Sequence, residues 1–128
     1  MTSASRLLLD THVFVWWRGD PDRLASAVQN SIATADIVFV SAASAWEAAI
    51  KVSLGRLELP DTVEAGVLAS GFEKLLITFS HAEHAANLPY HHRDPFDRML
   101  VAQAKSEGLT LVTHDRLLAP YDVDILWA

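Results

Sequence analysis

Along this chain, short runs of apolar residues alternate with longer stretches whose apolar positions recur every three to four residues. The runs at 6–9, 37–40, 75–79 and 109–113, with a shorter one at 123–126, predict strands. Several are apolar at successive positions, the pattern of strands covered on both faces, as in a parallel sheet between helices.

The stretches between the runs carry helix punctuation. Asp20-Pro21 reads as an N-cap followed by proline at the first helical position, opening a helix to about Ala33. Ser41 or Ser44 opens the next, and Gly55 stands where a glycine C-cap belongs. Leu59-Pro60-Asp61 interrupts the chain before a helix to about Ser70. Ser80 is placed to cap a short helix ending near Leu88-Pro89. Asp94-Pro95 opens a helix running to Glu107, with Gly108 as its stop. Strands alternating with helices predict an α/β fold with a central, mainly parallel sheet of four to five strands and right-handed crossovers. With no repeat, low-complexity tract or linker, residues 1–128 read as one domain.

Composition narrows this picture. Half of the residues are apolar (51%), enough for a core without covalent staples, and there is no cysteine to supply a disulfide, a thiolate ligand or a thiol nucleophile. The opening apolar run, ended by Asp10, is too short for a signal peptide, and no stretch reaches the roughly 18 apolar residues of a membrane helix. A cytoplasmic protein is expected. The formal charge of −6 counts against a module held to nucleic acid by phosphate contacts alone. It is compatible with an enzyme whose carboxylates are neutralised by divalent metal, or with one that docks a basic partner.

Ligands of open α/β sheets bind beyond the carboxyl ends of the strands, and acids stand there. Asp10 ends the first strand and Asp115 follows the fourth, so adjacency of those strands would bring the two carboxylates together. Either acid would also serve as a cap for the turn or helix after it. Glu47 borders the apolar stripe Trp46, Ile50, Leu54, and its plainer role is an i,i+4 pair with Lys51, worth about 0.2–0.5 kcal/mol. Asp97 sits in Asp94-Pro95-Phe96-Asp97, where Asp94 caps and an acid in the first turn favours the helix dipole. Composition does not decide between these roles. Three or four carboxylates in one cleft would, however, demand a positive group among them. Hard oxygen donors suit Mg2+ or Mn2+, which supply a hydroxide nucleophile and stabilise both oxygens of an in-line displacement at phosphorus.

In order along the chain, Leu9-Asp10-Thr11, then Trp46-Glu47-Ala-Ala-Ile-Lys51 with Gly55-Arg-Leu, then Arg93-Asp94-Pro95-Phe96-Asp97-Arg98-Met99-Leu100, then Leu111-Val112-Thr113-His114-Asp115 resemble PIN-domain proteins of the VapC type. Asp-Pro-Phe-Asp-Arg is the most specific block, and the resemblance spans nearly the whole chain. It implies a PIN-like three-layer α/β/α sandwich with acids clustered at one edge of the sheet. It also implies a ribonuclease that hydrolyses RNA phosphodiesters with Mg2+ or Mn2+ and leaves a 5′-phosphate. The metal-binding, catalytic acids it implies are Asp10, Glu47, Asp97 and, as a more variable fourth, Asp115, with Thr113 as a hydrogen-bonding helper. Members serve as toxins, so a cognate antitoxin and a homodimer are the partners it implies.

Other residues have weaker readings. His81, His84, His91 and His92 lie close in sequence but lack a cysteine co-ligand, and structural or surface roles suit them better than zinc. His91, His92 and Arg93 lead into the Asp97 helix and are candidates for RNA phosphate contact. Phe14, Trp16 and Trp17 suit stacking, a partner face or the core. Arg18, Arg98 and Arg116 are candidate phosphate ligands, the last two equally surface charges. Two competing functions are a partner-binding domain with an inactive site and an α/β phosphohydrolase using Asp10 as nucleophile. The latter prefers an aspartate two residues on, where this chain has His12, and it leaves Glu47 without a role.

Overall fold

The computed structural model describes residues 5–128. The opening run judged too short for a leader includes residues 1–4, which lie outside that span. Five parallel strands form one sheet in the order β3-β2-β1-β4-β5. They are β1 (Arg6–Leu9), β2 (Ile37–Ser41), β3 (Glu73–Leu75), β4 (Thr110–Thr113) and β5 (Ile125–Trp127). The helices are α1 (Thr11–Gly19), α2 (Ser26–Thr34), α3 (Ala42–Ser53), α4 (Val63–Ala69), α5 (Phe79–Asn87) and α6 (Pro95–Glu107).

The continuous apolar runs are explained by two cores. Alternate residues of β1 face opposite ways. Leu7 and Leu9 join Val13, Phe14, Val28, Ile32 and Val67 in one core, while Leu8 joins Leu100, Val101, Ala104 and Leu111 in the other. Helices α1, α2 and α4 therefore cover one face and α6 the other, giving three layers. The chain winds outward from β1 through β2 to β3, then crosses back to β4 on the far side of β1. The sheet's switch point lies between β1 and β4, where Leu9 is in register with Val112 and Asp10 N–H donates to Val112 O at 2.9 Å. In open sheets this reversal leaves a crevice beyond the strand ends.

Several boundaries differ from expectation. The Asp20 cap does not form: Pro21–Arg23 makes one 3-10 turn, and α2 starts at Ser26. Leu24, with 2% exposure, is drawn into the core in an extended conformation that breaks the helix. The Gln29 amide then satisfies the carbonyls of Pro21 and Leu24, at 2.8 and 2.9 Å. The third strand ends at Leu75 where the apolar run of 75–79 began. Phe79 starts α5 because Thr78, not Ser80, forms a capping box with His81. As a short edge strand, β3 carries exposed Glu73 and Lys74, so apolar pattern does not mark it. The last strand lies at Ile125–Trp127 in place of 123–126. Ser41, not Ser44, caps α3; Ser44 is buried and bonded to the Thr11 hydroxyl at 3.0 Å. Gly55 and Gly108 take φ of 70° and 66°, the left-handed closure expected after α3 and α6. The stripe of Trp46, Ile50 and Leu54 does not enter the core: Trp46 is 64% exposed, while Glu47 beside it is 8% exposed.

Candidate functional site

The cleft at the switch point has a volume of about 330 Å3 and is lined by Asp10, Glu47, Asp97 and Asp115 together with His12, Lys51, His92, Asp94, His114 and Arg116. Each acid arrives by a different route. Asp10 follows β1 directly and caps α1, its Oδ1 accepting from Val13 N at 2.8 Å. Its Oδ2 accepts from the Thr113 hydroxyl at the end of β4. Glu47 lies one turn into α3, held by the Ser41 cap and the Thr11–Ser44 bond. Asp97 is the third residue of α6. Asp115 caps the 3-10 turn Arg116–Leu118, its Oδ1 accepting from Leu117 N at 3.0 Å.

Capping and facing the cleft are thus not alternatives for Asp10 and Asp115. One oxygen of each closes a backbone turn, which fixes the rotamer and turns the other oxygen to the cleft. Asp94 is the α6 cap, accepting from Phe96 N at 2.8 Å, as the Asp-Pro pair implied. Glu47 also makes its helical pair, with Lys51 Nζ at 3.2 Å.

The crowding of these acids shows in their protonation. Burial pushes the Asp10 carboxyl up against the opposing effect of the Thr113 and Val13 bonds. Asp97 is pushed up to about 7, by burial first and then by repulsion from Asp94, Asp10 and Glu47, with His92 pulling the other way. At Asp115, the desolvation that would raise it is outweighed by the Leu117 N–H and by His92, and its carboxyl sits below the usual range. Burial and the Lys51 charge hold the His12 imidazole down despite Asp10 and Glu47. Oxygen-only acids at one strand-end crevice, at least one of them unwilling to ionise there, are a donor set suited to a hard divalent cation.

His92, expected with His91 and Arg93 as a phosphate contact, stands among the acids. Its Nε2 lies 2.9 Å from both Asp97 Oδ2 and Asp115 Oδ2, and donor atoms of these three residues all fall within 4.8 Å of one another. The demand for a positive or donating group among the acids was the available signal. The segment carrying His92 is fixed by Arg98, which is buried and so neither a phosphate ligand nor a surface charge. Arg98 Nη2 donates to the carbonyls of Ala85 and Leu88 at 2.8 and 3.0 Å, and Nη1 to that of Pro89 at 2.9 Å. Tyr121 adds its hydroxyl, which donates to Pro89 O at 2.7 Å and accepts from His92 N at 3.1 Å.

The remaining candidates divide. His114 Nδ1 lies 3.9 Å from Asp10 Oδ2, and its ring stands 4.7 Å from Trp16 and 5.5 Å from His12. Arg116 lines the cleft with its guanidinium 4.1 Å from the Trp127 ring. Arg18 lies away from the acids, paired with Asp61 at 3.6 Å against α4. Phe14 is core, and Trp17 packs beside Phe72. His81 bonds Glu107 at 2.9 Å and His84 bonds Ser106 at 2.6 Å, tying α5 to α6.

A parallel sheet of this order with acids at its switch point defines a class, and the chain belongs to the PIN-domain family: the model of the PIN domain matches residues 7–123. Within that family it is 38% identical over 115 residues to Ribonuclease VapC22 of Mycobacterium tuberculosis, a match covering 88% of each protein. The fold is similar to that in the complex of VapBC2 from Rickettsia felis with a promoter DNA fragment, with a TM-score of 0.69 and 14% identity over 94% of this chain and 96% of that one. FitAcB from Neisseria gonorrhoeae gives 0.67 and 22% over the same shares. Among the described residues, no helix is long and apolar enough to cross a membrane.

Proposed function

We propose that this protein is a divalent-metal-dependent endoribonuclease, acting as the toxin of a VapBC-like toxin–antitoxin pair in the cytoplasm. The observation that carries the reading is the convergence of Asp10, Glu47, Asp97 and Asp115 on one strand-end cleft, in a chain 38% identical to a named ribonuclease. Asp10, Glu47 and Asp97 would hold Mg2+ or Mn2+, with Asp115 as a fourth acid. When bound, such an ion supplies a water acidic enough to attack phosphorus and charge to stabilise the displacement.

The chain's own residues do the rest. Thr113 donates to Asp10 and Val13 N–H caps it, so the buried carboxylate presents a fixed orientation. Orienting partners of this kind commonly carry a 10–100-fold effect on metal affinity or activity. Arg116 and Lys51 stand at the cleft with positive charge suited to a phosphodiester. A covalent aspartyl mechanism is less suited: the aspartate it prefers two residues after Asp10 is His12 here, and it leaves Glu47 without a role.

The acidic cleft and the exposed stripe of Trp46, Ile50 and Leu54 beside it favour a partner with a basic and an apolar part, the chemistry of an antitoxin segment that covers the site. The complexes among the structural relatives support that partner, and a homodimer is the assembly we expect. The test is cleavage of a mixed RNA pool by antitoxin-free protein. Cutting with Mn2+ that stops with EDTA and with Asp10→Asn is the expected result. A folded protein that binds Mn2+ and antitoxin but cuts no RNA would transfer the assignment to an inactive partner-binding domain.

A further inference from the structure

We propose that His92 is a built-in occupant of the second cation position of the cleft, so that this chain takes one divalent ion and not two. The inference rests on the metal-dependent reading above. It starts from the ring's tautomer. His92 Nδ1 accepts from the backbone N–H of Arg93 at 2.9 Å, with Asp94 N–H also pointing to it at 3.4 Å. A ring nitrogen that accepts carries no proton, so in the neutral imidazole the proton sits on Nε2. Metal-bound histidines show the opposite polarity: the free nitrogen donates to a carboxylate or carbonyl, which leaves the other lone pair for the metal. In this cleft Nε2 therefore offers a hydrogen, not a lone pair.

That N–H is shared between Asp97 Oδ2 and Asp115 Oδ2, at 2.9 Å to each. A cation seated between these oxygens would have to break both bonds and displace the ring. Displacement is opposed at the ring itself by the Arg93 and Asp94 N–H groups on Nδ1, whose backbone stretch is anchored in turn through Tyr121 to His92 N and through Arg98 to the carbonyls of Ala85, Leu88 and Pro89. Lys51 is a useful contrast. It also faces an acid of the cleft, Glu47 at 3.2 Å, but on a flexible stem with 32% of its side chain exposed, and it can swing away from an arriving ion. The side of the cleft that His92 leaves to an ion is the one lined by Asp10, Glu47 and the other oxygen of Asp97. The pair of Asp97 and Asp115 is already bridged.

The test counts bound Mn2+ by electron paramagnetic resonance during titration of the full chain, free of antitoxin, alongside His92→Ala and His92→Gln. The glutamine amide reaches about as far as Nε2 and keeps an N–H donor. One ion per chain is expected for wild type, two for His92→Ala and one for His92→Gln. Backbone contacts of residue 92 with Tyr121 and Arg98 do not depend on the ring, so His92→Ala keeps its anchors. Two ions in wild type, one ion in His92→Ala, or two in His92→Gln would overturn the proposal. Loss of the only ion in His92→Ala would overturn it differently, by making His92 a ligand. Wild type that binds no Mn2+ would instead remove the metal-dependent reading on which the inference stands. Should His92→Ala fail to fold, the wild-type and His92→Gln counts decide the matter, with two ions in either overturning it.

Discussion

The floor and the rim of the cleft are built in different ways. The floor is Asp10 with Thr113, at the ends of two hydrogen-bonded central strands and buried between both cores. Its geometry follows from the sheet itself. The rim is Asp97, Asp115 and His92, carried by a helix start, a 3-10 turn and an irregular segment. Its geometry depends on side chains gripping backbone, above all Arg98. A site on rigid elements can place some groups by topology alone, while the others need a dedicated scaffold of their own.

The sharpest way to break that contrast is to neutralise one acid from each part. Asp10→Asn keeps a capping side chain for Val13 N–H, so the chain should fold, yet RNA cleavage should fall on the order of 100-fold or more, the scale of losing a preorganised electrostatic group. Asp115→Asn should cost roughly ten-fold, as a supporting group at the rim would. Equal losses in a cleavage assay would erase the distinction between floor and rim.

Removing the scaffold of the rim comes next. Arg98→Ala leaves the part-buried carbonyls of residues 85 and 88 without their guanidinium donor, and that of residue 89 with the Tyr121 hydroxyl alone, and should lower the unfolding free energy by about 1–3 kcal/mol in urea titration. A change under about 0.5 kcal/mol would mean that the segment holds itself.

A smaller, graded effect concerns pH. Asp97 keeps its proton in the folded, metal-free chain up to about 7, against an ordinary value of 3.8. Between these values the folded state binds the extra proton, so raising the pH favours the unfolded chain. The contribution of Asp97 to stability is full below about 4 and is lost as pH rises through about 7. Melting temperatures of metal-free protein should fall across that window for wild type and stay flatter for Asp97→Asn. Matching slopes would contradict the crowding described here.

The smallest effect is expected at Lys51→Ala, where loss of an i,i+4 pair should change stability by less than about 0.5 kcal/mol. A larger loss in thermal melts would mean that Lys51 neutralises the acid cluster as well as Glu47.

What was legible in the sequence divides along the same line. Strands β1, β2 and β4 and the helix from Asp94 to Gly108 announce themselves, because buried parallel strands are apolar on both faces and Asp94-Pro95 and Gly108 do cap their helix, as Asp20-Pro21 does not. The edge strand β3 is displaced from expectation because Glu73 and Lys74 are polar and exposed, and the apolar run that begins at its last residue, Leu75, goes on into a linker and the first residue of α5. The acids could be picked out, although local pattern alone left Asp10, Asp97 and Asp115 as caps or dipole partners. Asp10 and Asp115 both cap a turn with one oxygen and line the cleft. His92 was out of reach for a physical reason. Its place depends on Arg98 and on Tyr121, which lies 29 residues away, and no local pattern encodes that meeting.

The proposed hydrolysis runs on carboxylates and a divalent ion, in a cleft that also holds His12, His92 and His114. The most direct measurement is the chemistry of the cut ends of a single RNA substrate, with Mn2+ and with EDTA. Attack by water predicts a 5′-phosphate and a 3′-hydroxyl, formed only with the ion and also from a substrate lacking the 2′-hydroxyl at the cut. A 2′,3′-cyclic phosphate that persists in EDTA would contradict the account and assign the reaction to the histidines.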